Sequence, residues 1–324
     1  FKSKLFGMEM KSKNVFYGWY VAICCSLIYF FVNSMTLFVP QNLFPTFIEE
    51  FSLNREQASL TVRNTLLFAA LLSPFSGILI DKYGVTVVMR IGIIVMALTY
   101  SFYPFASSIE TLYRLHILMA VGLVMTGLGP NVIIVSNWFN KHRGKVVGMV
   151  VASSSLGGAT LPLLISPIVS NPDWGWRWGF GLLTALFWIF AVIPVYKIIR
   201  PSPETMGLNP DGIYEMSQDQ GKTKSIEDKD MTTFKDAIFS RALWCLGIGS
   251  ACLWFSIQGL NSQIRIFFEL DAGFTAQQSV LLFSIIYWFS FIGKFSFGAL
   301  SDKMPKRTVL FLSSCVLFIG SLLL

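Results

Sequence analysis

Charge is scarce in this sequence. Only 13% of its 324 residues are Asp, Glu, Lys or Arg, while 54% are hydrophobic; a soluble domain carries roughly 25% charged residues. That balance excludes a soluble helical protein, whose helices would need charged faces that are missing here. Histidine is nearly absent, with His116 and His142 alone, so a His-based metal site is not expected. The five cysteines (Cys24, Cys25, Cys245, Cys252, Cys315) lie inside apolar runs and form no CxxC pair. Packing, rather than a disulfide framework or redox work, is their expected role. No phosphate loop, nucleophile–base pair or metal-ligand cluster is legible, so neither an enzyme nor a cofactor is expected. The net charge of +7 points to membrane topology rather than to nucleic acid, because the basic residues gather in alternate loops.

What is abundant is apolar sequence in runs of about 20 residues, long enough to cross a hydrocarbon core as helices, with a mean hydropathy of +0.61. The expected architecture is an all-α polytopic membrane protein. Nine spans are predicted, at 19–43, 57–80, 86–106, 111–137, 145–169, 177–199, 241–265, 275–300 and 308–324. The basic tail "FKSKLFGMEMKSKNVF" precedes a stretch too long for a signal-peptide core, so it is read as cytoplasmic tail 1–18 before the first span. Six spans (19–199) are then separated from a further set (241–324) by the polar stretch 200–240, a solvated linker by composition. Lysines and arginines concentrate on the tail side of the spans, and Arg55, Arg177 and Arg265 are assigned to outer loops. This predicts a multi-pass protein with its N-terminus in the cytoplasm.

"GILIDK" (77–82) and "GALSDK" (298–303) share Gly, Leu, Asp and Lys at an offset of 221 residues. Internal repeats of this kind are expected of secondary transporters. Six spans in one half imply six in the other, so about three are expected beyond Leu324. The repeated G-x-x-x-D-[KR], carried by Gly77, Asp81, Lys82 and by Gly298, Asp302, Lys303, resembles the cytoplasmic loop motif of the major facilitator superfamily. Its downstream basic run is "GVTVVMR" in one copy and "MPKR" in the other. Gly77 and Gly298 are expected to let helices approach closely. Asp81 and Asp302 are expected at the membrane surface, paired with basic groups or a helix N-terminus of the opposite half-bundle. Interfacial anchoring is the rival reading.

"FYGWYV" (16–21), "NWFNKHRGKVVGMVVASSSLGGATLPLL" (137–164), "GWRWGF" (175–180) and "RPSPETMGLNPDG" (200–212) together resemble the monocarboxylate transporter family and its oxalate/formate antiporter relatives. The resemblance implies a major facilitator fold of two six-helix bundles, the second truncated here. It also implies a plasma-membrane location and alternating-access transport of a small carboxylate, with protons or a counter-anion as coupling partner.

A lysine at the centre of a span costs roughly 2.5–3.5 kcal/mol on insertion scales, so intramembrane charge marks function by default. Arg63 and Lys294 are the basic residues well inside the predicted spans, and no Asp or Glu lies deep in any of them. That favours an anionic substrate. Lys294 occupies the position where the resembled family carries an essential arginine, which implies anion binding. Ser290 stands where its proton-coupled members have an aspartate, and Gln41 where they have a first-span lysine, which leaves anion exchange open. Snorkelling is the rival role for Lys294, but its loop lies eight residues or about 12 Å away. Tyr287 and Ser290 share its helix face, and Gln258, Trp254 and Asn261 are candidates to line the same cavity. Export of an unrelated solute, and ligand sensing without transport, are the alternative functions.

Overall fold

The computed structural model describes residues 16–212 and 239–322. The basic tail and most of the central polar stretch, to which the linker reading applied, lie outside the described residues. Among the latter, eight helices are long and apolar enough to cross a membrane. They are α1 (Tyr17–Asn42), α2 (Arg55–Tyr83), α3 (Val85–Phe105), α4 (Ile109–Trp138), α5 (Arg143–Val169), α6 (Gly175–Lys197), α7 (Leu243–Asp271) and α8 (Ala276–Leu300). A ninth helix, α9, covers Lys306–Leu322. Among the described residues every regular element is a helix, and the protein is multi-pass.

Local chemistry explains where the helices start and bend. Asn54 begins α2 with a capping box: Gln57 N–H donates to its side chain at 2.8 Å, and Gln57 Oε1 accepts from the Asn54 N–H at 2.9 Å. Thr275 and Gln278 build the same box at the start of α8. Asn54/Thr275 and Gln57/Gln278 both obey the 221-residue offset, so the repeat extends from the loop motif back through the whole helix. Gly84, with φ of 83°, reverses the chain between α2 and α3 in one residue, a backbone conformation that suits a residue without Cβ.

Several spans are irregular: α6 and α7 each contain a π-helical turn, at Trp188–Val192 and Phe267–Asp271, and two others are redirected or broken. In α1 a π-helical turn at Ser34–Phe38 is followed by Pro40, a combination that redirects the last turn. In α4 the helix breaks at Gly127. Pro130 has no N–H to offer the carbonyl of Thr126, and buried Asn131 supplies the missing donor. Its Nδ2 reaches the carbonyls of Thr126 and Gly127, each at 2.7 Å. A broken backbone inside a span is thereby kept satisfied by protein groups.

The first six helices form a bundle whose core is aromatic at α6. Phe180 stacks on Tyr103 at 4.1 Å, and Trp176 meets Tyr103 and Phe47 edge-on. His116 is fully buried between α2, α3 and α4, bonded to Thr65 (2.8 Å) and to Tyr103 (3.1 Å). α8 lies along α5, its main neighbour, and α7 touches the end of α1 and the segment after it. The outward faces of α2, α7 and α8 expose Leu71, Phe75, Leu246 and Phe289, as a lipid-facing surface requires.

One boundary differs from expectation. The seventh span was predicted to stop at residue 265, with Arg265 in an outer loop. The helical path of α7 instead continues to Asp271, and Arg265 is only 4% exposed. The extension is stabilised locally, because Glu269 stands four residues on and pairs with Arg265.

Candidate functional site

At one end of the bundle, called the latch end below, α8 and α5 approach to backbone contact. A Cβ on Gly298 would stand 2.5 Å from the Cα of Gly148, and one on Gly148 would stand 2.8 Å from the Cα of Gly298. That closeness brings the repeated loop motif over the start of α5. The Asp302 carboxylate accepts from the N–H of Gly144 (2.9 Å) and of Lys145 (2.7 Å). These are free donors of the first helical turn, where a negative charge is stabilised. Asp211 accepts from the preceding amides, Asn140 (2.9 Å) and Lys141 (2.8 Å). Two carboxylates from distant sequence thus hold the loop "NKHRGK".

The quoted sequence motifs meet here as well. Asn137 donates to the Pro201 carbonyl and the Trp138 indole to that of Arg200, each at 3.1 Å. Tyr17 and Trp19 pack their rings on Trp138 and Phe139. The first copy of the motif behaves differently. Nothing lies within 4 Å of a Cβ on Gly77, and Asp81 is exposed without an ion pair or hydrogen bond among the described residues. Lys82 rests over the Tyr83 ring. The described residues offer Asp81 no counterpart of the Asp302 contact.

Within the spans, the structure divides the candidate residues into two groups. The first lies along the α5–α8 seam. Lys294 Nζ is 3.4 Å from Ser154 Oγ, and Ser290 Oγ is 2.9 Å from Ser155 Oγ. One helical turn before Ser290, Tyr287 packs against Gly158 of α5 and, ring to ring at 4.4 Å, against Phe38 of α1. The Tyr287 hydroxyl and that of Ser284 are buried without a partner among the described residues. Lys294 has no carboxylate within ion-pairing distance among the described residues. Sequence reasoning missed Ser154 and Ser155 as neighbours of the lysine. The signal was there: three serines in succession, Ser153 to Ser155, in an otherwise apolar span.

The second group surrounds a cavity of about 340 Å³ between α1, α2 and α7, lined by Gln41, Ser59, Arg63, Phe255, Gln258 and Ser262 among others. Gln41 follows the π-helical turn and Pro40, which aim this last turn of α1 at the cavity. Ser262 is its equivalent at the 221-residue offset, so the cavity sits where the repeats face one another, as transporter sites do. Trp254 does not line it and is 56% exposed.

At the far end, opposite the latch, α7 is tied to the first bundle. Arg55 makes a bidentate pair with Asp271, at 2.8 and 2.6 Å. Arg265 donates to Asn42 Oδ1 at 3.1 Å and to the Ala276 carbonyl at 3.3 Å, beside a small cavity of about 50 Å³. A buried arginine bridging the two halves escaped sequence reasoning because Arg265 had been read as a loop charge.

A helical bundle with an internal repeat, facing half-bundles and a cavity between them describes a membrane transporter. Residues 25–324 match the family described as Major Facilitator Superfamily, and the chain belongs to that superfamily. It is 24% identical over 308 residues to the "Probable hexose phosphate transport protein" of Chlamydia pneumoniae, covering 90% of this chain and 65% of that protein. It is 31% identical over 140 residues to the "MFS-type transporter opdF" of Penicillium oxalicum, covering 40% of this chain and 31% of that protein. Among solved structures, an inward-facing, unoccupied bacterial homolog of the human lysosomal transporter Spinster superposes with a TM-score of 0.66. The sequence identity is 21%, and the match covers 90% of this chain and 64% of that one; the likeness is one of fold. The chain spans a little under two thirds of the length of the first relative and of the solved structure.

Proposed function

We propose that this protein is a secondary transporter of small organic anions that works by alternating access of its two half-bundles. The observation that carries the reading is the state of Lys294: a cation set inside a span, with a neutral hydroxyl as its polar neighbour and no carboxylate among the described residues to neutralise it. A charge held in that way is costly unless a ligand completes it. Arg63, on the larger cavity, likewise has no ion pair among the described residues. Lys294 is the principal counter-charge in this reading, with Arg63 and Gln41 as secondary contacts, and Tyr287, Ser290 and Gln258 lining the path.

The anion's head group is a carboxylate by the resemblance to monocarboxylate transporters. The similarity to a protein named for hexose phosphate makes a phosphate ester the second member of the same class. Anion exchange is favoured over proton symport, because Ser290 and Gln41 replace the ionisable residues used by the proton-coupled members of the resembled family. The latch end is cytoplasmic and the membrane is the plasma membrane in this reading, and Gly298, Asp302 and Lys303 close the cytoplasmic side, with Gly77, Asp81 and Lys82 as the symmetric copy.

Radiolabelled counterflow in proteoliposomes tests the proposal. Lactate, formate, oxalate and glucose 6-phosphate are offered beside glucose, a neutral solute, and choline, a cation. Exchange of at least one anion, with neither glucose nor choline exchanged, is expected. Exchange of the neutral or cationic solute alone would point to an exporter of another class, and binding without flux would point to a sensor.

A further inference from the structure

The short connection between α4 and α5 is gripped by two carboxylates from outside those helices. Asp211 holds the amides of Asn140 and Lys141, and Asp302 those of Gly144 and Lys145. Asp302 comes from the second half of the chain. Asp211 comes from the start of the central polar stretch, and that segment is folded onto the first bundle. The Tyr17 hydroxyl donates to the Ile198 carbonyl at 2.9 Å, and the Asn137 and Trp138 side chains donate to the carbonyls of Pro201 and Arg200. Its own turns close through Gly207 N–H on the Glu204 carbonyl and Leu208 N–H on that of Pro203, each at 3.0 Å. A Cβ on Gly212 would stand 2.9 Å from the Phe16 ring. Asp211 is thus fixed to the half-bundle that carries the loop, whereas Asp302 reaches it from the other.

The two carboxylates bind in different ways. Asp211 takes both N–H groups on one oxygen, Oδ2, and its Oδ1 has no partner among the described residues. Asp302 takes one N–H on each oxygen, Gly144 on Oδ1 and Lys145 on Oδ2. A fit at two points requires both amides to lie at the right spacing and direction, because hydrogen bonds weaken steeply off line. Those amides begin three residues after Lys141, so whatever fixes Asn140 and Lys141 also fixes the direction in which α5 starts. The backbone of Asp211 limits the choice of residue there. Its φ is 59°, in the left-handed region that Gly visits routinely and Asn and Asp occasionally.

We propose that Asp211 is a positioning residue of the latch: by holding Asn140 and Lys141 it presents the amides of Gly144 and Lys145 to Asp302, and it keeps that docking site formed while the latch is open. A site already in its bound shape needs no ordering when Asp302 returns, which favours closure. The start of the central stretch thereby acts on the contact between the half-bundles without touching Asp302. This rests on the alternating-access reading and deepens it, by giving the latch a control outside the two helices that meet there.

Distances between spin labels on α5 and α8 at the latch end, measured on the full-length protein in proteoliposomes, test the proposal. Asp211→Gly removes the carboxylate and accepts the positive φ. Asp211→Asn keeps one acceptor oxygen and tolerates the same backbone. The glycine variant is expected to raise the ratio of open to closed latch about fivefold, the scale of one ordinary hydrogen bond, and the asparagine variant to stay near the wild type. Asp302→Asn turns one of two acceptors into a donor facing an N–H, and is expected to open the latch as Asp302→Ala does. In an Asp302→Ala background, Asp211→Gly is expected to add nothing, because no carboxylate is left to receive. A residue that merely stabilised the first bundle would act equally in both backgrounds, and that result would overturn the proposal. So would a latch that stays closed in Asp211→Gly, or equal opening by Asp211→Asn and Asp302→Asn. The last comparison serves should the glycine variant fail to fold. If Asp302→Ala keeps the wild-type distances, the latch reading itself fails and this inference falls with it.

Discussion

At the scale of single residues, the tightest constraint is the pair Gly148 and Gly298. A Cβ on either would enter the backbone of the other helix, and backbone cannot rotate away as a flexible side chain does. Gly298→Ala is therefore expected to push α8 off α5 and destabilise the closed latch by about 1–3 kcal/mol, the usual cost of overpacking. Thermal unfolding in detergent checks the loss. Gly77→Ala, with open space around that position, is the control in the same assay, and equal losses from both would contradict the close-packing account. Among the intramembrane residues, Lys294 and Arg63 were legible in sequence because charge is so rare there. Arg265 was not, because an Arg and a Glu four apart near the end of an apolar run look the same in a loop as on a helix. Ser154 was hidden for another reason: a serine in a span is unremarkable until its neighbour across the helix seam is known.

At the scale of elements, Asp302 couples two helices that belong to different halves of the chain. Its carboxylate binds the first turn of α5 through two backbone amides, Gly144 and Lys145, and a Cβ on Gly144 would stand 2.1 Å from an Asp302 oxygen, so the contact depends on the absence of a side chain there. Charge at the helix start and the two hydrogen bonds together are worth about 1–2 kcal/mol for a partly exposed group. Asp302→Ala is thus expected to shift the latch toward its open state by roughly tenfold. Distances between spin labels placed on α5 and α8 at the latch end report that shift, and an unchanged distribution would contradict the role. The repeat made this aspartate visible in the sequence, but its partner is a backbone feature 157 residues away, which no side-chain pattern announces. The capping boxes at Asn54 and Thr275 were legible in principle, since they keep the same 221-residue offset as the loop motif. Helix number and order followed from apolar length alone. The break at Gly127 did not, because it depends on Asn131 reaching back to carbonyls freed by Pro130.

At the scale of the molecule, contacts between the half-bundles are found at both ends. Asp302 and Gly298 hold the latch end, while Arg55–Asp271 and the Arg265–Asn42 bond hold the far end. The exposed Arg55 pair contributes little on its own, about 0–1 kcal/mol, which suits a contact that opens and closes if the half-bundles alternate as proposed. The polar groups are held between these two closures: Lys294 on the α5–α8 seam and the cavity of Gln41, Arg63 and Gln258 between α1, α2 and α7. Alternating access requires the closures to open in turn around such groups. Lys294 has no equivalent in the first half, where the offset places Ser73; it breaks the symmetry of the scaffold, and the account assigns it to the substrate rather than to the fold. Uptake of a labelled organic anion into proteoliposomes, compared between wild type and Lys294→Ala, therefore tests the central claim most directly. The account predicts that uptake is abolished while the variant keeps its thermal unfolding temperature; normal uptake by Lys294→Ala would contradict it.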